Sequence, residues 1–211
     1  MGSPECRFSP IRLFLDQLRP CIESQMLVDF VQLQPNDKII EVGSGNGYIT
    51  LHLAIKFPKV KEIIGIDIIP EVVEEAYTQL KRFHDTFDEV TASVKFMNLD
   101  ISSLIMIAQK YDSMISNPPF FSSGASRVSP NQIRSTARID KLFTINDLLL
   151  TGQSILKNYG SLYLVFPTKR IPEIEASTSR YGYKFITIET YSTVRKRDGG
   201  ISLIHLVKQN S

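Results

Sequence analysis

Asn117-Pro118-Pro119-Phe120 puts one amide side chain, one carbonyl between two prolines and one aromatic face into four consecutive residues. Two prolines are a poor way to continue a strand, and they fix φ, so these groups are held in place rather than sampled. The arrangement suits a planar substrate bearing an exocyclic amino group. Such an amine is a weak nucleophile because its lone pair is delocalised into the ring or carbonyl beside it. Accepting its two N–H hydrogens on the Asn117 side-chain oxygen and the Pro118 carbonyl would localise that lone pair and stabilise the positive charge that develops on alkylation. Phe120 offers a face on which an extruded base can rest. No strong base is required, since an alkylated ammonium loses its proton readily. The bland alternative is a structural Pro-Pro turn with a core phenylalanine.

A second constellation lies upstream, in Glu41-Val42-Gly43-Ser44-Gly45-Asn46-Gly47-Tyr48. Glycines at alternate positions permit positive φ and close backbone approach where a strand passes into a helix. A dinucleotide fingerprint requires Gly-x-Gly-x-x-Gly, and position 48 is Tyr. The acidic-x-Gly-x-Gly-x-Gly pattern instead resembles motif I of the S-adenosylmethionine-dependent methyltransferases. Asp67, with Ile68 after it, follows Gly47 at the spacing where an acid accepts both ribose hydroxyls of an adenosyl group. Asp100 and Ile101 stand where the methyltransferase fold contacts the adenine amino group and ring. Either aspartate could simply be a helix cap. Three acids (Glu41, Asp67 and Asp100) each close one of three successive strands, which favours a cofactor site made of Glu41, Gly43, Ser44, Gly45, Asn46, Gly47, Asp67, Ile68, Asp100, Ile101 and Asn117.

These residues need elements to carry them. Short β-branched runs alternate with longer amphipathic stretches, the pattern of an α/β chain: a Rossmann-like, mostly parallel sheet of seven strands with helices on both faces. Strands are predicted over 38–42, 62–67, 94–98, 111–116 and 161–166. Two more, 184–191 and 201–208, have no helix between them and predict an antiparallel C-terminal hairpin. Helices are predicted over 20–33, 48–56, 70–83, 144–157 and 168–180, with Pro70 in a first turn and Gly160 as a helix stop. At 211 residues, 43% hydrophobic and 22% charged, the chain fits one domain, with residues 1–36 as an N-terminal helical segment and 121–143 as a substrate loop. Cys6 and Cys21 form no disulfide framework, which fits a reducing cytoplasm. The sequence predicts no membrane span, no leader and no lipidation, since Cys6 occupies the position where a myristoylation signal has Ser or Thr. His52, His84 and His205 lack ligand spacing, so no metal is predicted, and His205 reads as strand packing. A monomer is the simplest expectation.

Net charge is only +2, but it is unevenly spread. Residues 1–126 hold 11 Lys/Arg against 16 Asp/Glu, and residues 127–211 hold 13 against 6. The basic half begins just after the Asn-Pro-Pro-Phe turn and holds Arg127, Arg134, Arg138 and Lys141, then Lys169 and Arg170, then Arg195, Lys196 and Arg197 beside Gly199-Gly200. Basic side chains interleaved with stacking aromatics predict an RNA partner, although each cluster alone could be a solvated loop.

Taken together, the glycine turn and Ser116-Asn117-Pro118-Pro119-Phe120 resemble the amino-methyltransferases of the N6-adenine type. The similarity continues through the Arg-rich loop, residues 147–156 and 160–167 and the basic C-terminal hairpin, and there it resembles the bacterial tRNA1(Val) adenine-N6 methyltransferase family. That resemblance implies methyl transfer from S-adenosylmethionine to adenosine N6 in tRNA, next to the anticodon, with Asn117, Pro118, Pro119 and Phe120 as the catalytic turn. Phe120 stands where the motif more often has Tyr, which keeps the stacking face and loses a hydroxyl. The N-terminal segment departs from the family's usual opening. Guanine-N2 RNA and glutamine-N5 protein methyltransferases use the same logic and remain alternatives, as does adenine-N6 methylation of DNA, though no separate target-recognition domain is evident. A nonenzymatic RNA-binding protein on the same fold and a nicotinamide-dependent oxidoreductase are weaker readings.

Overall fold

A computed structural model describes residues 10–87, 89–106, 108–118, 144–192 and 199–210. Its strands form one seven-stranded sheet: β1 (Lys38–Val42), β2 (Glu62–Asp67), β3 (Ser93–Asn98), β4 (Tyr111–Ser116), β5 (Leu156–Pro167), β6 (Tyr183–Tyr191) and β7 (Ile201–Lys208). The spatial order is β3-β2-β1-β4-β5-β7-β6. The first five pair in parallel, and β7 runs antiparallel to both β5 and β6. The expected Rossmann-like sheet with an antiparallel C-terminal hairpin is therefore borne out.

The central strands β1, β2 and β4 are buried on both faces because both faces are covered, whereas β3 buries alternate residues and β6 is largely exposed. Ile39, Ile63, Val94, Ile115, Tyr163 and Val165 point into one layer, with α1 (Pro10–Gln17), α2 (Ile22–Phe30), α3 (Tyr48–Lys56) and α4 (Pro70–Thr86). Their neighbours Ile40, Ile64, Met114, Leu162 and Leu164 point into the other, with a 3-10 turn (Ile101–Met106), α5 (Ile145–Ile155) and α6 (Ile171–Thr178). The period of two thus builds two cores from one sheet.

Several boundaries depart from the sequence expectation. The helix expected over 144–157 ends at Ile155, and β5 begins at once with Leu156 paired to Tyr111. The Lys208 ammonium, from β7, donates to the carbonyls of Gln153 and Leu156 at 2.6 and 2.9 Å and satisfies the last turn there. Gly160 is accordingly not a helix stop. It lies within the irregular start of β5, where Tyr159 takes the left-handed conformation and a side chain at 160 would collide with the Lys157 and Asp112 carbonyls. The stretch 168–180 divides into a 3-10 turn (Thr168–Arg170) and α6, which starts afresh with a proline in its first turn. The segment expected as one helix over 20–33 is α2 alone. A separate helix, α1, precedes it and packs Phe14 against the rings of Phe83 and Phe87 of the α4 end, at centroid distances of 6.0 and 5.4 Å. No helix among the described residues is long and apolar enough to cross a membrane.

Candidate active site

The two constellations meet because β1 and β4 are neighbours at the point where the strand order reverses, the usual ligand crevice of such sheets. Val42 pairs with Ser116, and the Ser116 hydroxyl donates to the Val42 carbonyl at 2.9 Å. The residues that follow, Gly43 and Asn117, therefore leave adjacent strand ends. The turn after β1 is pinned to β2 by the N–H groups of Gly43 and Ser44, which both donate to the Ile66 carbonyl at 2.9 Å.

The three glycines of the turn do different work. All have positive φ, at 77°, 53° and 89° for Gly43, Gly45 and Gly47. A methyl group added at Gly47 would lie 2.5 Å from the Phe96 ring, so this glycine serves packing. A methyl group at Gly43 or Gly45 would meet nothing among the described residues within 4 Å. These two leave an open cradle over the backbone, which a ligand can approach.

The strand-end acids also separate. Asp67 Oδ2 accepts from the Gly45 N–H at 2.9 Å and Oδ1 from the Ile69 N–H at 3.0 Å, which leaves further lone pairs on both oxygens. Ile69, not Asp67, is the N-cap of α4. Asp100 Oδ1 accepts from the N–H and hydroxyl of Ser102 at 2.8 and 2.7 Å, so it does cap the 3-10 turn. Asp67 and Asp100 nevertheless line the same cleft, together with Val42, Gly43, Ile66, Ile68, Ile69, Leu99, Ile101 and Pro118. Glu41 does not. Its side chain is 1% exposed and turned to the start of α3, where Oε2 accepts from the N–H and hydroxyl of Thr50. Glu41 thus ties the glycine turn to α3 from below. Ser44 is buried against β2, and Asn46 donates from Nδ2 to the Leu18 carbonyl at 2.8 Å, away from the cleft.

The cleft holds about 580 Å³ of empty space, its open mouth included. Its apolar walls at Val42, Ile66, Ile69 and Leu99 were not singled out from sequence, where they read only as strand and loop hydrophobics. Two further residues were missed because they lie far away in the chain. Asn117 Nδ2 donates to Ser24 Oγ at 3.0 Å and lies 3.6 Å from Cys21 Sγ, both at the start of α2.

Of the basic residues, Lys169 lies across Gly199 at the foot of the β6–β7 hairpin. Arg170 is engaged by Glu173 through two bonds of 2.8 and 2.9 Å and sits over the Phe166 ring. Pro119, Phe120, Arg127, Arg134, Arg138, Lys141, Arg195, Lys196 and Arg197 lie outside the described residues, as does the 121–143 loop. His205 stacks on Tyr163 at 4.3 Å, pairs with Ser161 Oγ at 3.0 Å, and has its pKa lowered by burial.

A parallel sheet with a glycine turn and strand-end acids around one cleft is the architecture of a class I methyltransferase, and residues 33–175 match the family described as "Methyltransferase domain". The chain belongs to that family. It is 27% identical over 188 residues to the tRNA1(Val) (adenine(37)-N6)-methyltransferase of Trichodesmium erythraeum, covering 86% of this chain and 75% of that protein. It is 31% identical over 144 residues to the protein of the same name from Porphyromonas gingivalis, covering 67% of this chain and 54% of that one. Among solved structures, NSun6 from Pyrococcus horikoshii superposes with a TM-score of 0.68 at 17% identity, covering 91% of this chain and 53% of that chain. The resemblance read from residues 41–47 and 116–120 is thereby borne out, and the methyl donor is S-adenosylmethionine. The cleft fits that molecule: open backbone at Gly43 and Gly45, a carboxylate with spare lone pairs at Asp67, and apolar walls at Ile68, Leu99 and Ile101 for a planar ring.

Proposed function

We propose that this methyltransferase modifies N6 of adenosine in a tRNA, next to the anticodon, in the cytoplasm. The observation that carries the reading is the adjacency of the two turns: Pro118 lines the cleft that Gly43, Asp67 and Asp100 line. When bound, S-adenosylmethionine supplies the methyl group. Gly43 and Gly45 would allow its close approach, Asp67 would accept from its ribose hydroxyls, and Ile68, Leu99 and Ile101 would flank its adenine, with Asp100 at the amino group.

The work of the chain's own residues is then electrostatic. The Asn117 side-chain oxygen and the Pro118 carbonyl accept the two N–H hydrogens of the target amine, raise the electron density on nitrogen and stabilise its positive charge as the new bond forms. Phe120 would stack the extruded base. The basic residues after position 126 would neutralise phosphates, with Lys169 alongside the hairpin foot as one contact. Arg170 is a weaker candidate, because Glu173 already accepts from its Nε and Nη2.

Replacing Asn117 by Ala should lower turnover about 10²–10³-fold and leave S-adenosylmethionine affinity near wild type. Labelled-cofactor transfer and calorimetric titration measure the two separately, and full turnover in Asn117→Ala would remove the assignment. Mass spectrometry of nucleosides from treated RNA, with DNA and protein incubated in parallel, reports the acceptor. N6-methyladenosine in tRNA is the expected product, and N2-methylguanosine or N5-methylglutamine would move the activity to another acceptor of the same chemistry.

A further inference from the structure

The side chain on which the proposed reaction depends is held, among the described residues, from the start of α2. Among the described residues, the hydrogen-bond partner of the Asn117 carboxamide is Ser24, at 3.0 Å from Nδ2, with Cys21 Sγ at 3.6 Å. The Ser24 hydroxyl and the Cys21 sulfur are themselves 3.1 Å apart. Nothing among the described residues bonds to the Asn117 Oδ1. A carboxamide has a donor side and an acceptor side of nearly the same shape, and half a turn about its terminal torsion exchanges them. With its NH2 facing the substrate amine, it would set donor against donor and give the developing positive charge no acceptor.

We propose that Ser24, assisted by Cys21, is a positioning residue that holds the Asn117 NH2 against α2 and so presets Oδ1 as the acceptor for the substrate amine. This rests on the methyl-transfer reading of Asn117. The polarity is that of the bond from Asn117 Nδ2 to Ser24 Oγ. A serine hydroxyl has one proton and two lone pairs. Either of Ser24 Oγ and Cys21 Sγ can donate to the other; in the arrangement where the Ser24 proton goes to the sulfur, the Ser24 oxygen only accepts, as it does from the Asn117 NH2 at 3.0 Å. The thiol offers a second, weaker acceptor to the same nitrogen. Tethers flank α2 on both sides: Asn46 Nδ2 to the Leu18 carbonyl at 2.8 Å just before it, and Lys56 Nζ to the carbonyls of Val28 and Asp29 in its last turn at 2.7 and 3.0 Å. The N-terminal helices thereby connect the glycine turn and the amine-binding turn from outside the sheet.

The test compares Ser24→Ala and Ser24→Thr in the full chain, with Asn117→Ala alongside. In Ser24→Ala, kcat should fall about three- to tenfold, the effect of losing one neutral hydrogen bond. KM for the RNA, affinity for S-adenosylmethionine and melting temperature should stay at wild-type values. Ser24→Thr, which keeps the hydroxyl, should recover most of the loss. A role confined to folding would instead lower melting temperature and cofactor affinity together with kcat. Unchanged kcat in Ser24→Ala, or no recovery in Ser24→Thr, overturns the proposal. If Asn117→Ala loses turnover while Ser24→Ala keeps it, the methyl-transfer reading stands and the positioning role falls. If both keep it, the reading of Asn117 itself fails. Were Ser24→Ala to melt earlier, kcat per cofactor-binding site well below its transition would decide the same question.

Discussion

Burial pushes the Glu41 carboxyl up to about 8, because its charged form loses water in the core; the bonds from Thr50 offset part of this and the Asp67 charge adds to it. The unfolded chain titrates the same group near 4.5. Between these values the folded protein holds a proton that the unfolded chain has released. Stability therefore falls as pH rises through that window and levels off above it. Glu41→Gln keeps an oxygen that accepts from Thr50 and has nothing to titrate. The slope of unfolding free energy against pH should flatten in this variant, as read from urea midpoints across the window, whereas parallel slopes in the two proteins would assign the dependence to another group. In sequence Glu41 was indistinguishable from Asp67, since both are acids in a strand that runs into a ligand turn. Which one faced the cleft depended on Thr50, nine positions along on a packed helix.

The glycine turn shows the same separation at the scale of an element. Gly45→Ala has room for its methyl group and bears only the left-handed strain of about 1–2 kcal/mol, but it fills the cradle. S-adenosylmethionine affinity should drop at least about tenfold, that is by about 1.4 kcal/mol, with a modest loss of melting temperature. Gly47→Ala adds a clash with the fully buried Phe96 ring, costing about 1–3 kcal/mol beyond the strain, so its dominant effect should be on stability. Titration and thermal melts of both variants measure the contrast, and equal loss of affinity at equal stability would contradict it. The strands β1, β2, β4 and β7 fall where their apolar runs placed them, because a strand buried on both faces is legible as a short β-branched block. The α5–β5 junction was not legible, since the Lys208 ammonium that closes the helix comes from the far end of the chain. Helix α1 carried a readable stripe at Ile11, Phe14 and Leu15, continued by Leu18 just past its end, that its short length disguised.

For the molecule as a whole, the step from an acidic to a basic half at about residue 126 sets the predicted electrostatics of RNA binding. If four or more phosphates are neutralised, the logarithm of affinity should fall with the logarithm of salt at a slope of about −3 or steeper, at about −0.7 per contact on a single strand. Fluorescence anisotropy with tRNA over a salt series measures it, and a slope shallower than about −1 would place the RNA elsewhere. Lys169→Ala should make the slope shallower by less than one contact's worth without changing which base is modified. The structure sharpens one part of this expectation: Lys169 joins the hairpin foot at Gly199, whereas Arg170 is committed to Glu173.

The sequence alone determined where the chemistry stands along the chain. In a parallel α/β sheet every strand's carboxyl end lies on one edge, so the Gly43–Gly47 turn, Asp67, Asp100 and Asn117 were bound to converge once their strands were recognised. Only the tertiary structure decided which of these groups face the cleft and what holds them there. It turned Glu41 inward to Thr50, gave Gly47 to Phe96 while leaving Gly43 and Gly45 open, and brought Ser24 to Asn117 across 93 residues. Hydrophobic periodicity carries no information about such pairs, because they form between side chains that share no element and meet only when the helical layer closes over the sheet.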